Sequence, residues 1–437
     1  MRRRDFLRRS GAGLAASGLS GALAPGTAAA LERLAPSVPP SGGAADDEAF
    51  WRGVRALYAP PDDVLDLDQA NTGPTPLPVF DAYVARARRM SRAPAERFGT
   101  MWAEELDARA SPALAALLGA RKENLAFTSS ATTALNTVLR GFPLQRGDEV
   151  LVTDHEYPDM VETILQRGRR EGIAMRTVRV PVPTEDRLAL VARVEQAITP
   201  RTKLLLVSHV SAWSGEVLPV AEVTAAARAR GVAVLVDAAQ SVGVLDVRFE
   251  AMGCDFLGAS LHKWLGAPVA SGVLLMRREH VGRVEPLHPV SWDTGAYPID
   301  AYTWSGTFQM PAYASVIEAI DFQRTLGAER KRARLRLLGD HWQDRLRGVP
   351  GVRLLTPRDP ARSLGVASFA VEGVPSKALA SHLRTRHGIG VQDKAGRHSP
   401  YDNAVRVAPA VHTTPRELDR LVAAVVEVAR HGVPGER

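Results

Sequence analysis

Two apolar runs end in residues that could do chemistry together. VAVLVDAAQSVG closes on Asp237, with Gln240 three residues on, and DFLGASLHKWLG places Ser260, His262 and Lys263 at the end of a second run. A lone strand-end aspartate is a loop cap or a metal ligand as readily as anything else. The lysine is more telling. Its neighbours Leu261, Trp264 and Leu265 are apolar, and burial among them lowers an amine's pKa toward that of a nucleophile. A carboxylate that keeps a pyridine nitrogen protonated and a lysine that forms a Schiff base are the two protein groups that pyridoxal 5'-phosphate (PLP) chemistry requires.

Two further places suit the same cofactor. In TSSATTALN (128–136) an apolar run ends in small hydroxyl residues and passes directly into a helical pattern. Free N–H groups at a helix start, with the Ser130 and Thr132 hydroxyls beside them, make a phosphate cradle; taken alone, the same residues are an ordinary helix cap. VTDHEYPD (152–159) offers His155 and Tyr157 after another run, and either ring could lie on a pyridine face.

The elements that must position these residues alternate regularly. Apolar runs at 125–128, 149–154, 203–209, 232–239, 255–262 and 271–277 have the two-sided apolar character of strands buried on both faces. Helical patterns over 159–171, 187–198 and 220–230 lie between them, the last closed by Gly231. The alternation predicts a mostly parallel, doubly wound α/β sheet, with ligands held at the carboxyl ends of its strands. Beyond Gly306 a long helical pattern (312–346) precedes strands near 364–371 and 404–407 and helices over 376–387 and 415–430. These read as a smaller α+β C-terminal domain.

With these motifs in place, the chain resembles the class V aminotransferases, a branch of the fold-type I PLP enzymes, over about residues 67–428. It is most similar to isopenicillin N epimerase-like members through ATTALNTVLR (131–140), DHEYPD (154–159) and HKWLGAP (262–268). The resemblance implies that Lys263 forms the Schiff base, that Asp237 pairs with the pyridinium, that Gln240 donates to the phenolic oxygen and that His155 stacks on the ring. Ala131, Thr132, Ser260 and His262 would hold the phosphate, beside the Ser130 hydroxyl of the helix start. Thr307, after Gly306, would reach the same phosphate from a second subunit, so the resemblance implies a homodimer. Arg406 would grip the substrate carboxylate through a bidentate fork, and Asn71 would line the substrate side. No metal ligand set is expected.

The chain also departs from the family pattern. Ala270 stands where a glycine is usual, and Ala212 where an asparagine often faces the phenolic oxygen. The loop 391–401, VQDKAGRHSPY, has no cysteine where desulfurases carry the persulfide. Lys394, Arg397 and His398 in that loop compete with Arg406 as carboxylate anchors. The single cysteine, Cys254, lies in an apolar stretch and reads as a buried structural thiol. The expected function is therefore PLP-dependent chemistry at the amino-bearing carbon of a small amino acid or peptide-like substrate, transaminase or epimerase-like, and not cysteine desulfuration. A C–S or C–N lyase, or periplasmic modification of a peptide natural product such as a siderophore, is the alternative. No G-x-G-x-x-G follows a strand to favour a nicotinamide oxidoreductase.

The N-terminus carries a different message. Arg2 to Arg4, Asp5-Phe6-Leu7, Arg8-Arg9 and a Gly/Ala/Leu stretch to Ala24 resemble a twin-arginine export signal over residues 1–30, with Ala28 to Ala30 before the cleavage point. A flexible leader, rich in Pro, Gly, Ser and Ala over 35–45, and an N-terminal segment follow, to residue 66. A large domain (67–310) and a small one (311–437) complete the expected organisation. Removing residues 1–30 lowers the formal charge from +7 to +3, leaving 50 Lys+Arg against 47 Asp+Glu. The basic balance thus belongs to targeting, and no cluster of cations interleaved with aromatics points to nucleic acid. The expected destination is the periplasm or the exterior, reached folded through the twin-arginine machinery, with no stable membrane insertion after cleavage.

Overall fold

The computed structural model describes residues 45–61, 63–180, 186, 188–291, 298–359 and 361–434. The expected export signal and residues 31–44 of the expected leader lie outside these residues. Thirteen strands are found among them. β1 (Leu65–Asp66) comes first, and the large sheet comprises β2 (Leu125–Thr128), β3 (Glu149–Thr153), β4 (Ala174–Val178), β5 (Thr202–Ser208), β6 (Ala233–Asp237), β7 (Phe256–Ser260) and β8 (Gly272–Met276). Its order is β2-β8-β7-β6-β5-β3-β4. Every neighbouring pair from β7 to β4 is parallel, and only β8 runs antiparallel to its neighbours β7 and β2.

The period of two is visible in where side chains go. Leu205, Val207, Val234, Val236 and Leu257 enter one core, whereas Leu204, Leu206, Leu235 and Phe256 enter the other. Helices cover both faces, so the strands are buried throughout. The exception is the edge strand β4, which exposes Ala174, Arg176 and Thr177. That mixed, solvent-facing pattern carries no apolar run, and β4 is the one strand of this sheet that periodicity does not reveal.

The smaller unit contains β9 (Val352–Leu354), β10 (Ala367–Val371), β11 (Ile389–Gly390), β12 (Gln392–Asp393) and β13 (Val405–Val407). Four of these form an antiparallel sheet in the order β12-β13-β10-β9. Helices Ala328–Leu346, Ser376–His387 and Pro415–His431 pack on it around Trp342, Phe369, Leu379 and Leu421. The single long helix expected over 312–346 is broken into three, Met310–Ala314, Val316–Leu326 and Ala328–Leu346. Gly327 at φ +84° makes the second break, a backbone position that glycine adopts freely. Met310, Val316, Ile320 and Phe322 pack in the large core, while Leu65 and Leu67 pack in the small one. β1 pairs in parallel with β11, and Asp68 bridges to Ala408. This stitch holds the segment 65–73 across the cleft between the two units.

Candidate active site

The cleft contains a cavity of about 260 Å³ at the carboxyl ends of β5, β6 and β7. The helix that follows β2 faces it from one side and the small sheet from the other. Lys263, Asp237, Gln240, Ser260, His262, Ser130, Ala131, Thr132, Asn71 and Arg406 all line it. Residues more than three hundred positions apart in sequence are thus gathered in one place.

Lys263 sits in a loop anchored by Leu261, Trp264 and Leu265, which are buried in the large core. Burial pushes its amine down to about 8, with the Asp237 carboxylate acting in the opposite sense. The segment 65–73 clamps this loop: Gln69 Nε2 donates to the Lys263 carbonyl at 2.9 Å, and Gly73 N–H to the His262 carbonyl at 3.0 Å. A Cβ on Gly73 would lie 2.2 Å from the Lys263 carbonyl oxygen, so only glycine permits the approach.

Asp237 ends β6. Its Oδ1 accepts from Ala239 N–H at 2.8 Å, and burial raises its pKa while Lys263 lowers it. Gln240 donates from Nε2 to Ala70 O and accepts from Trp264 Nε1, both at 2.8 Å. An amide nitrogen carries two hydrogens, so one remains for a ligand oxygen. His262 holds Ser271 O through Nδ1 at 2.9 Å. A carbonyl can only accept, so this contact assigns the proton to Nδ1.

The helix Ala131–Gly141 begins with Ser130 as its N-cap. Ser130 Oγ accepts from Thr133 N–H at 3.2 Å, and Ser260 Oγ accepts from Ala131 N–H at 2.9 Å. Among the described residues Thr132 N–H has no protein acceptor, and it is the donor in this first turn that is left for an anion. A Cβ on Gly272 would meet Ser130 Cα at 2.7 Å; this close approach lets the helix start rest on β8.

The structure corrects the expectation for His155. Its ring is fully buried outside the cavity, bonded through Nδ1 to Ser211 Oγ at 3.0 Å and edge-on to Tyr401. Burial lowers its pKa to about 3. Tyr157 lines the cavity instead. The reason is local: a tight turn at Asp154–His155 follows β3, and Pro158 starts the next helix. Proline holds the preceding residue in an extended conformation, and Tyr157 is found there with ψ 130°, projecting its ring into the cleft.

Arg406 is placed as expected but is not free. Nη1 donates to Ala212 O at 3.0 Å, and Nη2 to Asp68 Oδ1 at 2.6 Å and Gln392 Oε1 at 2.5 Å. Both hydrogens of Nη2 are therefore committed, and the open two-pronged fork expected for a substrate carboxylate is partly closed by the protein's own groups. Arg397 and His398 turn away and pair with Glu162, whereas Lys394 lines the cavity. Thr307 is exposed and does not line the cavity of its own chain. Sequence reasoning missed Glu156, Ser208, Asp68 and Gln392. Glu156 lies within DHEYPD, Ser208 at the end of an apolar run and Gln392 in the loop 391–401, but only the fold shows what their side chains meet.

The match to known proteins follows the same geometry. The family model for aminotransferase class-V covers residues 66–421. The chain belongs to the class V aminotransferase family. It is 33% identical over 401 residues to the isopenicillin N epimerase of Amycolatopsis lactamdurans, covering 87% of this chain and 99% of the relative. It is 30% identical over 393 residues to a probable cysteine desulfurase of Xylella fastidiosa, covering 84% and 91%. Among solved structures it is similar to the cystine C–S lyase C-DES in complex with cysteine persulfide, at a TM-score of 0.74 and 24% identity over 84% of this chain and 98% of that one. The fold is fold-type I, and the cofactor of the family is PLP. The lining fits it: Thr132 N–H would hold the phosphate, Asp237 would pair with the ring nitrogen, Lys263 would reach the aldehyde carbon and Tyr157 would offer a ring to its face.

Proposed function

We propose that this member acts at the amino-bearing carbon of an amino acid or peptide-like substrate, as a transaminase or an isopenicillin N epimerase-like enzyme. The carrying observation is the opposition of Lys263 and Asp237 on the large-domain side of the cleft to Arg406 and Lys394 on the small-domain side. An amine, a carboxylate and two cations arranged in this way suit a substrate bearing both an amino and an acidic group. Bound PLP supplies an electron sink for the substrate's α-carbon. Lys263, with its amine already brought down to about 8, takes the proton from that carbon and returns it. Asp237 keeps a proton on the ring nitrogen, and the clamp from Gln69 and Gly73 fixes where the Lys263 amine can reach.

A C–S or C–N lyase uses the same first proton removal and is the second reading. The resemblance to a C–S lyase fold keeps it in view. Persulfide-forming desulfuration finds no support in this chain's thiol. Loop 391–401 has no cysteine, and Cys254 is buried at the start of β7, opposite the cavity end, with burial pushing its pKa up to about 12. Thr307 on the surface suits delivery to a partner's phosphate site, so the working unit is a homodimer. Residues 1–30 direct its export through the twin-arginine route. Proton exchange at the α-carbon in deuterated water, across amino acids and short peptides with product identification, tests the reading. Exchange with inversion at the α-carbon, or with the amino group passed to a keto-acid acceptor, supports it; release of free ammonia or sulfide favours the second; no exchange with any substrate defeats both.

A further inference from the structure

Besides the Lys263 amine, the cavity is lined by a second lysine with no paired acceptor among the described residues. Lys394 is 9% exposed, and its ammonium lies 4.3 Å from the centre of the Trp213 ring. Among the described residues its Nζ has no hydrogen-bond acceptor and no carboxylate partner. The charged groups around it are Arg406, Asp68, Lys263 and Asp393. Neither carboxylate reaches Nζ: Asp68 Oδ1 accepts from Arg406 at 2.6 Å, and Asp393 Oδ1 accepts from Ser376 Oγ at 2.7 Å and Ala395 N–H at 3.0 Å, so the two act on the amine only through space. The backbone that carries this side chain is pinned. Lys394 N–H donates to Ala404 O at 2.8 Å, its carbonyl accepts from Ser399 Oγ at 2.6 Å, and Trp213 is buried beneath the side chain.

A largely buried amine without a paired anion is costly to charge, and an anionic ligand in the cavity would remove that cost. We propose that Lys394 binds a second anionic group of the substrate, distinct from the carboxylate that meets Arg406, so that the enzyme selects amino acids or peptides with an acidic side chain or a distal carboxylate. The inference rests on the amino-group reading above and adds its substrate class. Lys394 is brought down to about 7, chiefly by burial and then by Arg406. The selection therefore strengthens as pH falls through neutrality and the amine becomes charged.

The test uses the PLP-loaded enzyme and two readouts. Calorimetric titration compares glutarate with valerate, acyclic acids of equal length that differ by one carboxylate. Glutarate should bind tighter by about tenfold, and Lys394→Gln should collapse that ratio while Lys394→Arg keeps most of it. Exchange of the α-proton should give the same ratio between glutamate and glutamine. An unchanged glutarate preference in Lys394→Gln, or none in the unaltered enzyme, overturns the proposal. Equal loss of exchange from every substrate in both variants, with the glutarate preference intact, makes Lys394 a proton carrier and also overturns it. The titration reads Lys394 even if no amino acid exchanges, so failure of the amino-group reading is told apart from failure of this one.

Discussion

Ser208 binds the buried Glu156 carboxyl twice, through its backbone N–H at 3.1 Å and its hydroxyl at 2.7 Å. Ser208 is also the residue paired in register with Asp237 across β5 and β6. A second carboxyl group thus lies beneath the one that faces the cofactor's ring nitrogen. Burial pushes Glu156 up to about 8, and the Asp237 charge adds to the rise against hydrogen bonds from Thr153 and Ser208. Near neutral pH Glu156 is mainly protonated, so it adds little negative charge beneath Asp237.

That protonation has a thermodynamic sign. The folded protein keeps a proton that the unfolded chain releases near 4.5, so the contribution to stability is full below that value and is lost as pH rises through about 8. Glu156→Gln removes the titrating group and keeps an amide in its place. Its melting temperature should gain on the unaltered protein steadily as pH rises through that interval. Parallel pH profiles for the two proteins would show that Glu156 is ionised in the fold.

Asp237→Asn should retain PLP and lose about a hundredfold or more in α-proton exchange, because an amide no longer favours a charged ring nitrogen. The phosphate contacts at Ser130 to Thr132 are untouched by the change. Full exchange in the variant, with cofactor content equal by absorbance, would make Asp237 a structural residue.

The positions of Lys263, Asp237 and the helix start at Ser130 were legible in the sequence because each ends a strongly apolar run, and strand ends are where such a sheet places its ligands. In the cavity's other half, Arg406, Asn71 and Lys394 were expected from the resemblance, but Arg406's own partners Asp68 and Gln392 were not. Asp68, Gln392 and Arg406 meet only because β1 pairs with β11 and β12 with β13, strands two or three residues long with no periodicity to read. His155 was assigned over Tyr157 for want of the turn geometry; a two-residue difference in a loop decides which ring faces the cleft.

The two rings give a direct comparison. Tyr157→Ala removes the aromatic surface on the cavity and should weaken PLP retention by about 1 kcal/mol, roughly fivefold in Kd, with a changed visible spectrum. His155→Ala should leave both readouts in place and lower the melting temperature, since it empties a buried site beside Ser211 and Tyr401. The reverse pattern, with cofactor lost only from the His155 variant, returns the stacking role to histidine.

Ala270 adopts φ +65°, a left-handed conformation that costs an L-residue about 1–2 kcal/mol. It sits in the loop between Lys263 and β8, one residue before Ser271, whose carbonyl holds His262. Ala270→Gly should relieve part of that strain, and after the larger entropy loss of glycine the net gain is roughly 0.5–1 kcal/mol. A higher melting temperature with unchanged cofactor content is expected; a lower one would mean that the methyl group's packing outweighs the backbone cost.

Arg406 and Asp68 form a nearly buried pair, with side chains 3% and 20% exposed. Removing either partner strands the other's charge, at a cost of about 3–5 kcal/mol if fully desolvated. Arg406→Ala should therefore both destabilise the fold and raise KM, and a melting curve alone cannot separate the two effects. The separation comes from Asp68→Asn. This variant keeps an acceptor for Nη2 but removes the competing anion, so the guanidinium charge becomes available to a substrate carboxylate. If Arg406 is the carboxylate anchor, Asp68→Asn should lower KM for amino acids while lowering the melting temperature, and Arg406→Lys should fail to rescue Arg406→Ala, because an ammonium cannot span Ala212, Asp68 and Gln392 together. The double variant Asp68→Asn with Arg406→Ala should regain part of the lost stability and none of the lost kcat/KM, a coupling that a double-mutant cycle measures. If KM is indifferent to Asp68→Asn and Arg406→Lys restores activity, the guanidinium serves to join the two domains and the substrate carboxylate is held elsewhere in the cleft.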